Sequence, residues 1–96
     1  MNGRALVAWN LKRLRVERGV PQEALAADAK VDRAYVSELE RKQGNATVDL
    51  LDRLAFALDV PLQDFFREPE PGAKKPKPLR VGRKAKKVRA RTRRRT

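Results

Sequence analysis

The stretch Gln22–Arg41, QEALAADAKVDRAYVSELER, leaves the fold little freedom. Apolar and small residues recur at helical spacing on both sides of Lys30 and Val31, so two short helices must meet across a tight turn. The first runs from about Pro21 or Gln22 to Ala29. A proline fits the first turn because its missing N–H has no intrahelical acceptor there. Leu25, Ala26 and Ala29 form the inner face, and the two alanines allow close backbone approach. Lys30 ends this helix where glycine would be easier, and a left-handed lysine costs roughly 1 kcal/mol relative to glycine. Val31 is the apolar plug of the turn.

Asp32 is suited to cap the next helix and places negative charge at its positive end. At about 100° per residue, Val36 and Leu39 point inward and Glu40 lies beside that inner edge. Ala34, Ser37, Glu38 and Arg41 point outward, with Arg33 and Tyr35 on the flanks. Small and hydrogen-bonding residues on an outer face suit a helix that approaches base edges. An ordinary solvated face fits the same pattern.

Further helices flank this pair. Ala5–Arg18 carries Val7, Leu11 and Leu14 at helical spacing, widened by Leu6, and Gly19 and Pro21 follow as stop signals. Trp9 lies off that stripe and reads as a partly buried packing residue. After a loop at Gln43–Ala46, Thr47 can cap a helix that runs to about Leu58, with Leu51, Leu54, Ala55 and Leu58 inward. Phe56 points the other way, an incidental exposure or part of a partner surface. A last short helix from Leu62 to about Arg67 ends in Phe65 and Phe66, which are expected to cover the open end of the core. Dimer contact is their second reading. The expected fold is therefore all-α, five helices around one core.

The charge is divided. Residues 1–68 hold 11 Lys/Arg and 11 Asp/Glu, whereas residues 69–96 hold 13 Lys/Arg and the single acid Glu70. The whole net charge of +12 thus belongs to the C-terminal segment, which points to a polyanion partner. Prolines 69, 71, 76 and 78 and the scarcity of apolar residues there give too little burial to offset chain entropy. The reading is a folded unit over 1–68 and a disordered Lys/Arg/Pro-rich tail over 69–96. The sequence has no cysteine and no histidine, so disulfides and the common metal-site and nucleophile–base arrangements are absent. No cofactor and no enzymatic activity are expected. No apolar run long enough to span a membrane is visible, and the N-terminus lacks a signal pattern, which leads to the expectation of a cytoplasmic protein.

The fragments Asn10-Leu11-Lys12-Arg13-Leu14-Arg15, Arg18-Gly19-Val20-Pro21-Gln22-Glu23, Leu25-Ala26, Tyr35-Val36-Ser37, Leu39-Glu40-Arg41 and Leu54-Ala55-Phe56-Ala57-Leu58 occur in order. At these spacings the chain resembles the Cro/C1-type (Xre-family) helix-turn-helix regulators of bacteria and phages, over about Leu6–Phe66. The resemblance implies a five-helix, lambda-repressor-like domain that binds double-stranded DNA, typically as a homodimer on a palindrome. Carried over by position, Arg33, Ala34, Ser37 and Glu38 face bases. Gln22, Tyr35, Arg41, Lys42 and Asn45 contact the DNA backbone, Tyr35 lying against sugar-phosphate or a thymine methyl. Arg15 and Glu40 pair between helices. Three positions depart from the pattern: Lys30 replaces the turn glycine, Ala46 a common proline, and Gly44 stands where a basic residue often meets phosphate.

The resulting expectation is a sequence-specific transcriptional regulator, a repressor, associated with the nucleoid. A phage-type repressor, an antitoxin with a toxin partner and a restriction-system controller all remain open within it. The alternative is an architectural, nucleoid-type protein dominated by the basic tail.

Overall fold

The computed structural model describes residues 1–77 and 79. Most of the expected disordered tail, Pro78 and everything from Arg80 onward, therefore lies outside the described residues. Among those residues the chain is all helical, without strands: α1 (Gly3–Glu17), α2 (Gln22–Ala29), α3 (Arg33–Glu40), α4 (Val48–Leu58) and a 3₁₀ helix (Leu62–Phe66). The segment expected as a fifth helix is thus a short 3₁₀ turn.

Helix α1 begins two residues before the apolar pattern suggests, because the Asn2 side chain accepts from the Ala5 N–H at 2.9 Å and caps it. Thr47 does the same for α4, its Oγ1 accepting from Leu50 N–H at 3.0 Å. Asp32 occupies the cap position of α3, but its side chain makes no cap bond. The Tyr35 N–H is taken instead by the Asp32 carbonyl at 3.0 Å, a tight first turn that uses the donor a carboxylate would have accepted from.

All four α-helices end in the same way. A residue with positive φ follows or closes each one: Gly19 (68°), Lys30 (62°), Lys42 (64°) and Asp59 (60°). The next residue then donates back to a carbonyl five positions earlier: Val20 to Arg15, Val31 to Ala26, Gln43 to Glu38 and Val60 to Ala55. This backward bond satisfies helix-end carbonyls and turns the chain sharply. It also drives Val20 into full burial and sets Val31 and Val60 against the core. Glycine serves only at position 19 of the four. The left-handed conformation at Lys30 is expected from sequence, whereas nothing in the local pattern announces it at Lys42 and Asp59.

The core is one cluster around Leu11, Val20, Leu25, Val36, Leu54, Leu58 and Phe65, all fully buried. Helix α1 packs on α3 and on the 3₁₀ helix, α2 packs on α3 and α4, and α4 packs on the 3₁₀ helix. Phe65 closes the core's open end alone; Phe66 is 45% exposed. Neighbours on a 3₁₀ helix, with three residues per turn, cannot both face inward. Phe56, on the outer side of α4, is 70% exposed. Trp9 is half-buried and forms the floor of a trough of about 410 Å³ walled by Arg13, Arg67, Pro69 and Pro76.

A buried polar side chain fastens the C-terminal end. Asn10, only 1% exposed, directs its Nδ2 toward the carbonyls of Leu6 (3.0 Å), Phe65 (2.9 Å) and Arg67 (2.8 Å). Its Oδ1 accepts from Arg13 Nη2 at 2.9 Å. Asn10→Ala strands buried carbonyls and is expected to cost about 2 kcal/mol or more of unfolding free energy. Lys30→Gly relieves a strained turn and is expected to add up to about 1 kcal/mol. Urea denaturation of the two variants reads both signs.

Candidate nucleic-acid interface

Helix α3 is fixed from behind by a buried ion pair. The Arg15 guanidinium grips Glu40 along one edge, Nε to Oε2 at 2.6 Å and Nη2 to Oε1 at 2.9 Å. The two side chains are 6% and 5% exposed. Burial of two charges costs several kcal/mol per ion, and that cost is offset only when the remaining donors and acceptors are also satisfied. Here they are. Arg15 Nη1 donates to the Val20 carbonyl at 3.0 Å, and Gln22 Nε2 donates to Glu40 Oε1 at 3.1 Å. One cluster therefore joins α1, the α1–α2 turn, the start of α2 and the end of α3.

The same cluster extends to the outer face. Gln22 Oε1 accepts from Arg33 Nη1 at 3.3 Å, so Gln22 links the buried pair to the first residue of α3. Arg33, Ala34, Glu38 and Arg41 are exposed, and Ser37 is half-buried between them. Arg41 Nη1 donates to Ser37 Oγ across one helical turn. The face so formed offers two guanidinium groups, a hydroxyl and one carboxylate around a small residue. Arg41 bonds to Ser37 and Arg33 to Gln22, and these exposed bonds can be exchanged for base edges. Arg presents a fork matched to guanine O6 and N7, and a carboxylate accepts from cytosine N4.

Lys42 and Asn45, both exposed, lie in the loop after α3. Tyr35 is half-buried and packs against the core, and its hydroxyl donates to the Asn45 carbonyl. In this structure the Tyr35 hydroxyl thus holds the loop. Gly44 is buried, and a Cβ there would come within 3.0 Å of Leu39 Cδ2 and 3.2 Å of Tyr35 Cε1. A larger residue at position 44 would therefore require these two side chains to shift.

The structure thus gathers Arg33, Ala34, Ser37, Glu38 and Arg41 on one face of α3, with Gln22 beside its start and Lys42 and Asn45 beyond its end. Two further side chains, one at this loop and one at the C-terminal clamp, carry roles that no sequence pattern assigns. Arg4 bonds to the same loop from α1 (Nε to Gly44 O, 3.2 Å), forty positions away, and no local signal could have revealed it. Asn10 does leave a trace, as a polar residue three positions after Val7 on an otherwise apolar stripe. Among the described residues no group of His, Cys, Asp and Glu side chains could hold a metal ion, and no helix is long and apolar enough to cross a membrane.

Two short helices crossing at a tight turn, the second with its polar face exposed, define a helix-turn-helix domain. The helix-turn-helix family model (HTH_3) matches residues 11–65, and the chain belongs to that family, the Cro/C1-type regulators. It is a family of DNA-binding transcriptional regulators, not of enzymes. The chain is similar to a hypothetical transcription factor of Neisseria meningitidis serogroup B, 37% identical over 67 residues, which cover 70% of this chain and 63% of that one. The chain thus matches under two thirds of that relative's length. It is 45% identical over 60 residues to the uncharacterised HTH-type regulator y4dJ of Sinorhizobium fredii, covering 62% of this chain and 78% of the relative. Among solved structures, the crystal structure of the Neisseria factor superposes with a TM-score of 0.68 at 37% identity, covering 71% of this chain and 78% of that one. The restriction-modification controller protein C.AhdI of Aeromonas hydrophila superposes with a TM-score of 0.64 at 35% identity, covering 66% and 96%.

Glu40→Ala leaves a buried guanidinium without its counter-charge and is expected to cost about 3–5 kcal/mol. The double change Arg15→Met with Glu40→Leu, which removes both charges, is expected to recover most of that loss. Thermal denaturation of the single and double variants measures the difference.

Proposed function

We propose that this chain is a sequence-specific DNA-binding transcriptional regulator, a repressor, that reads the major groove with α3. The observation that carries the reading is the exposed face Arg33–Ala34–Ser37–Glu38–Arg41 on a helix anchored from behind by the Arg15–Glu40 pair. Base contacts fall to Arg33, Ala34, Ser37 and Glu38. Backbone contacts fall to Gln22, Arg41, Lys42 and Asn45, which set register, while the base contacts choose sequence. Tyr35 adds a further backbone contact, its ring against sugar-phosphate or a thymine methyl. Glu38 accepts from cytosine N4 and repels phosphate elsewhere, so it penalises loose, non-specific approach.

Residues 1–68 act as the reading unit and 69–96 as an appended cation. The first is formally neutral, so non-specific attraction to DNA falls to the 13 Lys/Arg of the second. Counterion release from those contacts makes affinity steeply salt-dependent. The reading places the protein on the nucleoid in the cytoplasm. Two copies on a palindrome would set their α3 helices about 34 Å apart, one turn of DNA. The exposed Phe56 of α4 is the feature that hints at a toxin partner.

The concentration of all net charge in the tail also favours a second reading, an architectural protein that coats DNA with little regard to sequence. Selection from a random DNA pool separates the two. Residues 1–96 and 1–68 are expected to yield the same palindromic motif, the shorter chain binding more weakly and with a flatter salt dependence. Ser37→Ala with Glu38→Ala is expected to change the selected motif. Arg33→Ala is expected to cost about 1–3 kcal/mol at one base position. No motif from either chain, with binding lost on truncation, leaves the architectural reading.

A further inference from the structure

We propose that Arg4, in the first turn of α1, is a positioning residue that orients the Asn45 side-chain amide for contact with the DNA backbone. The proposal rests on the reading of Lys42 and Asn45 as backbone contacts.

The loop between α3 and α4 is neither helix nor strand from Gln43 to Thr47. Two side chains from other elements hold it. The Tyr35 hydroxyl, from α3, donates to the Asn45 carbonyl. Arg4, from α1, donates through Nε to the Gly44 carbonyl at 3.2 Å and through Nη2 to Asn45 Oδ1. Between them the loop lies against α3, with buried Gly44 packed closely on the Leu39 and Tyr35 side chains.

The chemistry of this arrangement decides how Asn45 faces. A guanidinium only donates, so the group it meets on Asn45 must be the carbonyl oxygen. The Nδ2 group, with its two hydrogens, is then turned away from Arg4. Asn45 is exposed, so that amide is a donor presented to solvent, in the same loop as exposed Lys42. Phosphate oxygens only accept. An asparagine turned the other way would meet them with its own oxygen and be repelled. By fixing the amide orientation, Arg4 makes Asn45 complementary to phosphate without contacting phosphate itself.

Two measurements on the full chain test this. The first needs no DNA: the Asn45 side-chain amide resonances and the hydrogen exchange of the Gly44 and Asn45 backbone amides are compared between the native chain and Arg4→Ala. The proposal expects shifted side-chain resonances and faster exchange confined to this loop. Unchanged spectra overturn it, whatever the chain's function. The second uses the duplex that the chain selects, in a double-mutant cycle of Arg4→Ala and Asn45→Ala over a range of salt concentrations. Arg4→Ala is expected to weaken binding about five- to tenfold when Asn45 is present and hardly at all in Asn45→Ala. The slope of log K against log salt is expected to stay unchanged, with Arg4→Lys restoring part of the affinity. A loss of equal size in both backgrounds, or a slope reduced by about one unit as for a lysine or arginine on phosphate, overturns the positioning role. A native chain that selects no motif while Arg4→Ala disturbs the loop contradicts the regulator reading and not the Arg4–Asn45 contact.

Discussion

The buried pairing of Arg15 with Glu40 is the constraint on which the arrangement of helices depends. Hydrophobic contacts hold α1, α2 and α3 together, but they are non-directional and leave the rotation of a short helix poorly specified. Helix α3 has only eight residues and two inward apolar side chains, Val36 and Leu39. A planar guanidinium bound edge-on by a carboxylate supplies the missing direction. Its Nη1 holds the Val20 carbonyl, and Gln22 shares the carboxylate, so the turn and α2 enter the same geometry. The net contribution to stability is small beside the desolvation cost. What the pair fixes is the angle at which the outer face of α3 is presented, and the Gln22–Arg33 bond carries that fix out to the surface.

A second constraint acts at the other end of α3. The helix closes on left-handed Lys42, and the Gln43-to-Glu38 backbone bond turns the chain back across it. Gly44 then packs where a Cβ would be tight against the Leu39 and Tyr35 side chains. The loop is thus short, tightly turned and tied to α1 through Arg4. In the proposed function this rigidity matters, because contacts that set register must be fixed relative to those that read sequence. The basic tail needs no such rigidity, because charge attraction to a polyanion acts over distance and without a defined geometry.

How much of this was legible in the sequence depended on how local each signal was. Apolar stripes at helical spacing gave the α-helices and most of the core, since periodicity is a property of neighbouring residues. Thr47 caps as its position suggests, and Lys30 adopts the left-handed turn that its place after Ala29 requires. Asp32 misleads, because a tight first turn of α3 uses its backbone carbonyl where the side chain is expected. Phe66 misleads because adjacency in sequence is not adjacency in the core. The Asn2 cap, the Asn10 clamp and the Arg4 tie escape a sequence reading, each for a different reason. Asn2 precedes the apolar pattern, Asn10 bonds to carbonyls 55 and 57 positions away, and Arg4 meets a loop 40 positions away. The set of residues on the candidate interface came from the family resemblance together with the helical wheel, and the wheel alone also fits an ordinary solvated face.

The central claim is that α3, held by the ion pair, enters the groove as a rigid reader. Amide chemical-shift mapping of the full chain titrated with a selected duplex tests it most directly. The expected result is perturbation concentrated at Gln22, Arg33–Glu38 and Lys42–Asn45, with the resonances of Arg15 and Glu40 and their exchange protection unchanged. Perturbation confined to positions after residue 68, with α3 silent, would contradict the claim and leave DNA held by charge alone.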